Sequence, residues 1–339
     1  MSQELIHDRL IQADQIQAEP IEWIWQNYLA EGTFELLSAP PGTGKTTIAI
    51  NFAACITTGK AWPDGTVPNH IGDVIIWSDE DSYQHVLVPR LIAAGADLSR
   101  VHFLELQDVE DPNLAIKTLF SQWSSNQVKL IIIDSVMALV RGDSNKSSDV
   151  RNAINWLKPL AEKNGCAILG ITHFTKGSAN SPIIERVTGS IAFAAMARIV
   201  LSCGQSSANA SSMLLVAKSN IGQSDIGIKY RILPTTITND KEQIIETTII
   251  AWDEVVSNNA SKVMYRLEQP NDQRINDHAI NTLRTILNET EDHDSNIIKQ
   301  KMENYGFSIK QTNTAKNHLK VISRAIPGQG NKREWHLPE

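Results

Sequence analysis

The chain has 339 residues, 42% of them hydrophobic and 20% charged, with a net charge of −7. At ~150 residues per domain this length implies about two domains, and the composition excludes an intrinsically disordered chain. No apolar run reaches the roughly 18–20 residues that a membrane-spanning helix needs.

The longest apolar run, residues 191–201, is interrupted by Arg198, and the polar, acidic N-terminus (MSQELIHDRLIQADQIQ) does not read as a secretory signal. A cytoplasmic location is expected. Cys55, Cys166 and Cys203 sit far apart in apolar segments without metal-ligand spacing, and read as buried reduced thiols.

From residue 34 onward, short apolar runs alternate with longer amphipathic stretches. The runs are 34–38, 74–77, 101–106, 130–133, 167–171, 199–202 and 213–216. The amphipathic stretches are 45–57, 84–94, 114–123 and 149–164. This order predicts an α/β fold, with strands buried on both faces of a mostly parallel sheet and crossover helices on both sides. Stretches 226–233 and 244–252 are strand-like with no helix between them, which predicts an antiparallel extension at one sheet edge.

Polar residues 257–273, including Pro270, read as a linker. Beyond it Ile275, Ala279, Ile280, Leu283, Ile286 and Leu287 share one helical face. A second short helix is expected from Ser295 to about Tyr305. A third begins at Ser308, where Gln311 completes a capping box. Val321 and Ile322, a turn over 327–333, and Trp335 then suggest a hairpin. Three short helices and a hairpin describe a winged helix-turn-helix. The expected division is therefore an N-terminal segment (1–22), an α/β core (23–255), a linker (256–271) and a winged-helix domain (272–339).

Charge is unevenly placed. From Lys299 to Glu339 there are eight basic residues and three acidic ones, so a basic end follows an acidic body. That asymmetry fits a module meeting an anionic partner, with a solvated charged face as the alternative.

The strongest local signal is APPGTGKT at residues 39–46, which departs from GxxxxGK[ST] only by Ala39. A strand-like run precedes it and a helical one follows. Gly42 and Gly44 let the backbone curl so that N–H groups face phosphate oxygens, Lys45 neutralises β/γ-phosphates, and Thr46 offers a hydroxyl to Mg²⁺. With Pro41, Thr43 and Thr47 they form an expected ATP-binding set. LIIIDS ends a strand at Asp134, a second expected Mg²⁺ handle. VIIWSDED ends another in Asp79, Glu80 and Asp81. Three adjacent acids repel one another unless solvated. Glu80, with the longest arm, is the expected base for water.

These residues resemble the RecA-like hexameric ATPases, most closely the plasmid RepA-like replicative helicases and their phage relatives. The resemblance also rests on a strand ending in Thr172-His173-Phe174-Thr175-Lys176, on TGSIAFAAMAR (188–198) and on Lys218-Ser219-Asn220, and covers roughly residues 23–252. It implies a γ-phosphate sensor at His173 and an arginine finger at Arg198 that reaches the neighbouring subunit's nucleotide. Lys218 matches the lysine of a Lys-x-Arg pair, although Asn220 occupies the arginine position here. Two polar loops, 141–148 and 176–186, would line a nucleic-acid channel with Arg141, Lys146, Lys176 and Arg186. The implied protein is a homo-hexameric, ATP-driven helicase on single-stranded DNA. A strand-exchange recombinase and an ATP-controlled DNA-binding regulator are the alternatives. In the tail, Lys310, Lys316, Lys332 and Arg333 would meet DNA, unless that domain docks a protein.

Overall fold

The computed structural model describes residues 10–106, 111–122, 127–174, 186, 191–205, 211–268, 271–290, 293–326 and 332–338. The chain forms two units, one comprising residues to 204 together with 211–261, and the other built chiefly of 262–339. In chain order the first unit holds β1 (Trp23–Trp25), β2 (Leu29–Ala30), β3 (Phe34–Ala39), α1 (Lys45–Thr58), β4 (Asp73–Ser78), α2 (Val88–Ala94), β5 (Val101–Phe103), α3 (Pro112–Gln122) and β6 (Val128–Asp134). It continues with α4 (Ser147–Ile154), α5 (Leu157–Asn164), β7 (Ala167–His173), α6 (Ile191–Met196), β8 (Ile199–Gln205), β9 (Ser211–Ser219), β10 (Gly227–Thr238) and β11 (Ile244–Val256).

A nine-stranded sheet in the order β11-β10-β9-β8-β3-β7-β6-β4-β5 organises this unit. From β8 through β3, β7, β6 and β4 to β5 each successive pair is parallel, while β9–β10 and β10–β11 pair antiparallel. The expected parallel sheet and antiparallel edge are both present. The two-residue period of a strand explains how one apolar run fills two cores. Leu37, Ile76 and Ile132 pack on the face that carries α1, whereas Leu36, Ile75 and Ile131 pack on the face that carries α4, α5 and α6. Helix α1 is apolar nearly all round, and almost every residue from Thr47 to Thr57 is buried.

Three boundaries differ from expectation, each for a local reason. The 149–164 stretch breaks at Asn155–Trp156 because the ring of Pro159 opposes a helical carbonyl four residues earlier. Pro89 likewise delays α2 to Val88, after a wide turn over Tyr83–Leu87. Strand β10 runs on to Thr238 through Pro234 because its ladder with β11 continues unbroken from Tyr230↔Trp252 to Thr238↔Ile244.

The stretch read as a linker instead contains a helix, α7 (Ala260–Glu268). Ala260, Val263, Met264 and Leu267 fall on one face of it, and the Asp225 carboxylate accepts the Ser261 N–H at 2.7 Å to cap its start. The polar residues between those positions hid the period. The second unit follows with α8 (Asn271–Glu289), α9 (Ser295–Asn304), α10 (Ile309–His318) and the hairpin β12 (Ile322–Ala325)–β13 (Arg333–His336). They enclose a core of Leu283, Ile298, Met302, Ala315 and Trp335. The capping box at Ser308 and Gln311 is formed in both directions. Among the described residues no helix is long and apolar enough to cross a membrane.

Candidate active site

Four parallel strands deliver their functional residues to one sheet edge. Ala39 at the end of β3 is in register with His173 at the end of β7, and Ser78 at the end of β4 is in register with Asp134 at the end of β6. The loop after β3 turns on Gly42 and Gly44, at φ 78° and 82°, conformations that a side chain resists. Helix α1 then starts at Lys45, so its free N–H groups face the loop. Thr43 is buried, and its hydroxyl donates to the Pro40 carbonyl at 2.8 Å. Pro41 is exposed and Thr47 is buried in the first turn of α1.

Within this edge the polar groups form two short chains. Lys45 Nζ donates to the carbonyls of Ala39 and Pro40, each at 3.3 Å, and lies 3.1 Å from His173 Nδ1. His173 Nε2 in turn lies 3.3 Å from Glu80 Oε1. A neutral ring satisfies both contacts when Nδ1 accepts from Lys45 and Nε2–H donates to Glu80. Burial lowers the Lys45 pKa from the usual lysine range. In the second chain the Thr46 hydroxyl donates to Asp134 Oδ2 at 2.7 Å. Burial pushes the Asp134 carboxyl up to about 6, with the Thr46 hydrogen bond opposing and Glu80 and Asp81 adding to the rise.

The three consecutive acids are separated by their partners. Asp79 accepts the Ser135 N–H at 2.7 Å and ties β4 to β6, while Asp81 pairs with Arg90 at 3.0 Å. Glu80 alone turns to His173, and its side chain stays 44% exposed. The bridging role of Asp79 had no signal in the sequence beyond its adjacency to Glu80.

Other expected site residues lie elsewhere. The Arg198 N–H donates to the Phe34 carbonyl at 2.9 Å, which places Arg198 at the start of β3, the edge opposite the P-loop. Lys218 donates to the carbonyls of Ala194 and Ala197 at 2.7 and 2.9 Å, so it caps the end of α6 and has no part in this chain's own phosphate loop. Arg141 is paired with Asp111 at 3.1 Å, and Lys146 is exposed. Arg186 was expected to line a nucleic-acid channel but is only 6% exposed, its guanidinium 5.9 Å above the Phe174 ring. Lys176 lies outside the described residues. In the second unit Lys310 and Lys332 are exposed, Lys316 sits 4.6 Å over the Trp335 ring, and Arg333 donates to Ser323 Oγ at 2.9 Å.

A glycine-hinged loop, a helix N-terminus, a buried lysine and a Thr–Asp pair on parallel strand ends define a P-loop nucleoside triphosphatase. The chain belongs to the AAA_25 family, described as AAA domain, whose model matches residues 3–179, more than half its length. It is an ATP-binding P-loop ATPase. A crystal structure of the RadB recombinase is similar at 16% identity and a TM-score of 0.43, covering 60% of this chain and 89% of that one.

Proposed function

We propose that this ATPase is a ring-forming DNA motor of the replicative-helicase type. In it each subunit hydrolyses ATP at its own strand edge and completes its neighbour's site with Arg198. The observation that carries this reading is the position of Arg198. Strand β3 separates it from its own P-loop by six residues, roughly 20 Å at ~3.3 Å per residue. Among the described residues no carboxylate pairs with it, so its charge is available to a phosphate across a head-to-tail interface.

Glu80 orients water and takes its proton as the water oxygen bonds to the γ-phosphorus and the bond to the β,γ-bridging oxygen breaks. ADP and inorganic phosphate leave. Lys45 holds the phosphate charge, and in doing so leaves His173 Nδ1 without its donor. Loss of that contact frees the ring to re-aim Glu80, which makes His173 a sensor of the γ-phosphate. The Thr46 hydroxyl and the Asp134 carboxylate are hard oxygen donors that suit Mg²⁺. Bound there, the ion would neutralise charge on the phosphate oxygens.

For DNA, Lys146 is already exposed, and Arg141 can exchange Asp111 for a phosphate. The three helices and hairpin of the second unit support a winged helix that places α10, with Lys310, Gln311, Asn313 and Asn317, against a duplex. The test measures ATP hydrolysis with and without long single-stranded DNA, then strand displacement on a forked duplex. The proposal expects stimulation and displacement together. Strand exchange without displacement would point to a recombinase, and no response to DNA would remove the motor.

A further inference from the structure

The antiparallel extension does more than widen the sheet. From β10 the hydroxyl of Tyr230 donates to the backbone carbonyl of Thr43 at 2.6 Å. Tyr230 is fully buried, and burial holds its phenol pKa well above the usual value, so the proton needed for this bond stays in place. Thr43 stands between the two left-handed glycines of the phosphate loop. Its carbonyl belongs to the same planar peptide as the Gly44 N–H, and in a trans peptide the two point in opposite directions. A hydroxyl that holds the carbonyl on the sheet side therefore aims the Gly44 N–H into the loop, where phosphate oxygens bind.

The same two strands close the loop from behind. A Cβ at Gly44 would lie 2.8 Å from Ile232 Cδ1 of β10 and 3.7 Å from Ile250 Cδ1 of β11. Two residues on, Trp252 crosses the Tyr230 ring edge-on at 5.6 Å, and its Nε1 donates to Asn51 of α1 at 2.8 Å. Tyr230, Ile232 and Ile250 thus reach the loop from a hairpin more than 180 residues downstream, and only Tyr230 among them bonds its backbone, whereas Trp252 ties the hairpin to α1 and does not touch the loop.

We infer that Tyr230 is a positioning residue for ATP, a pin that presets the Gly44 amide for the phosphates. It rests on the ATPase reading, and it acts through the loop without touching substrate. Such a pin serves ground state and transition state alike, so its loss weakens binding and leaves the chemical step nearly intact.

The experiment compares Tyr230→Phe with the full-length wild type by calorimetric binding of ATP and ADP and by steady-state hydrolysis. Phenylalanine keeps the ring and removes one hydroxyl. Kd and KM should rise about 3- to 10-fold, the range of a single buried hydrogen bond, with kcat within about twofold. Trp252→Phe removes a neighbouring bond on the same hairpin; it should lower the melting temperature and leave KM unchanged. Unchanged nucleotide affinity in Tyr230→Phe overturns the pin, as does an equal KM rise in Trp252→Phe, which would assign the effect to hairpin packing. Failure of the wild type to bind ATP sinks the nucleotide site itself, an outcome separate from either.

Discussion

The sheet edge and the second unit both collect charged residues, but they use them differently. At the edge, Lys45, His173 and Glu80 form one chain and Thr46 and Asp134 another, with Asp79 and Asp81 held aside by Ser135 and Arg90. In the second unit Lys299 and Lys316 both lie over Trp335, while Lys310 and Lys332 stand in solvent. Parallel strands bring distant motifs to one place, so spacing there reports on chemistry. On a helical surface a lysine can cover an aromatic ring or meet a phosphate, and spacing does not distinguish them.

The largest effect should come from Arg198, which the sheet keeps away from its own nucleotide. Arg198→Ala is expected to assemble normally and to lose activity on the order of 10³–10⁵-fold, as arginine fingers do. Mixing it with inactive Glu80→Gln protein should restore part of the hydrolysis, because one shared site then pairs an intact finger with an intact base. A loss below about tenfold, or no rescue in mixed oligomers, would break the contrast between the two sheet edges.

A smaller effect separates the lysines of α10. Lys310→Ala should reduce the salt dependence of DNA binding by about one phosphate contact and leave thermal stability unchanged. Lys316→Ala should instead lower stability by roughly 0.5–1 kcal/mol, the value of a cation–π contact, and change the salt slope little. Salt titrations of binding and melting curves read both. Reversed outcomes would show that Lys316 leaves Trp335 to meet DNA.

Much of the ATPase unit was legible in the sequence. Strands buried on both faces give uninterrupted apolar runs, and the glycines of the phosphate loop, Asp134 and Glu80 all sit where such runs stop. Helix boundaries were less legible where Pro89 and Pro159 impose breaks through carbonyls four residues earlier. Helix α7 was missed because its four inward residues are spread among polar ones. Tyr230 was invisible for a different reason. It contacts a loop more than 180 residues away, and nothing local to β10 marks a tyrosine as a partner of backbone. The burial of Arg186 was equally hidden, since only the fold sets it beside Phe174.

Glu80, alone among three consecutive carboxylates, is the proposed base for the water. Its direct test is single-turnover hydrolysis with parallel ATP-binding measurements on Glu80→Gln, Asp79→Asn and Asp81→Asn. Glu80→Gln is expected to bind ATP with near wild-type affinity without turning it over, and Asp81→Asn to keep measurable hydrolysis because the Asp81 carboxylate is committed to Arg90. Wild-type turnover in Glu80→Gln would contradict the assignment and pass the role to a neighbouring acid.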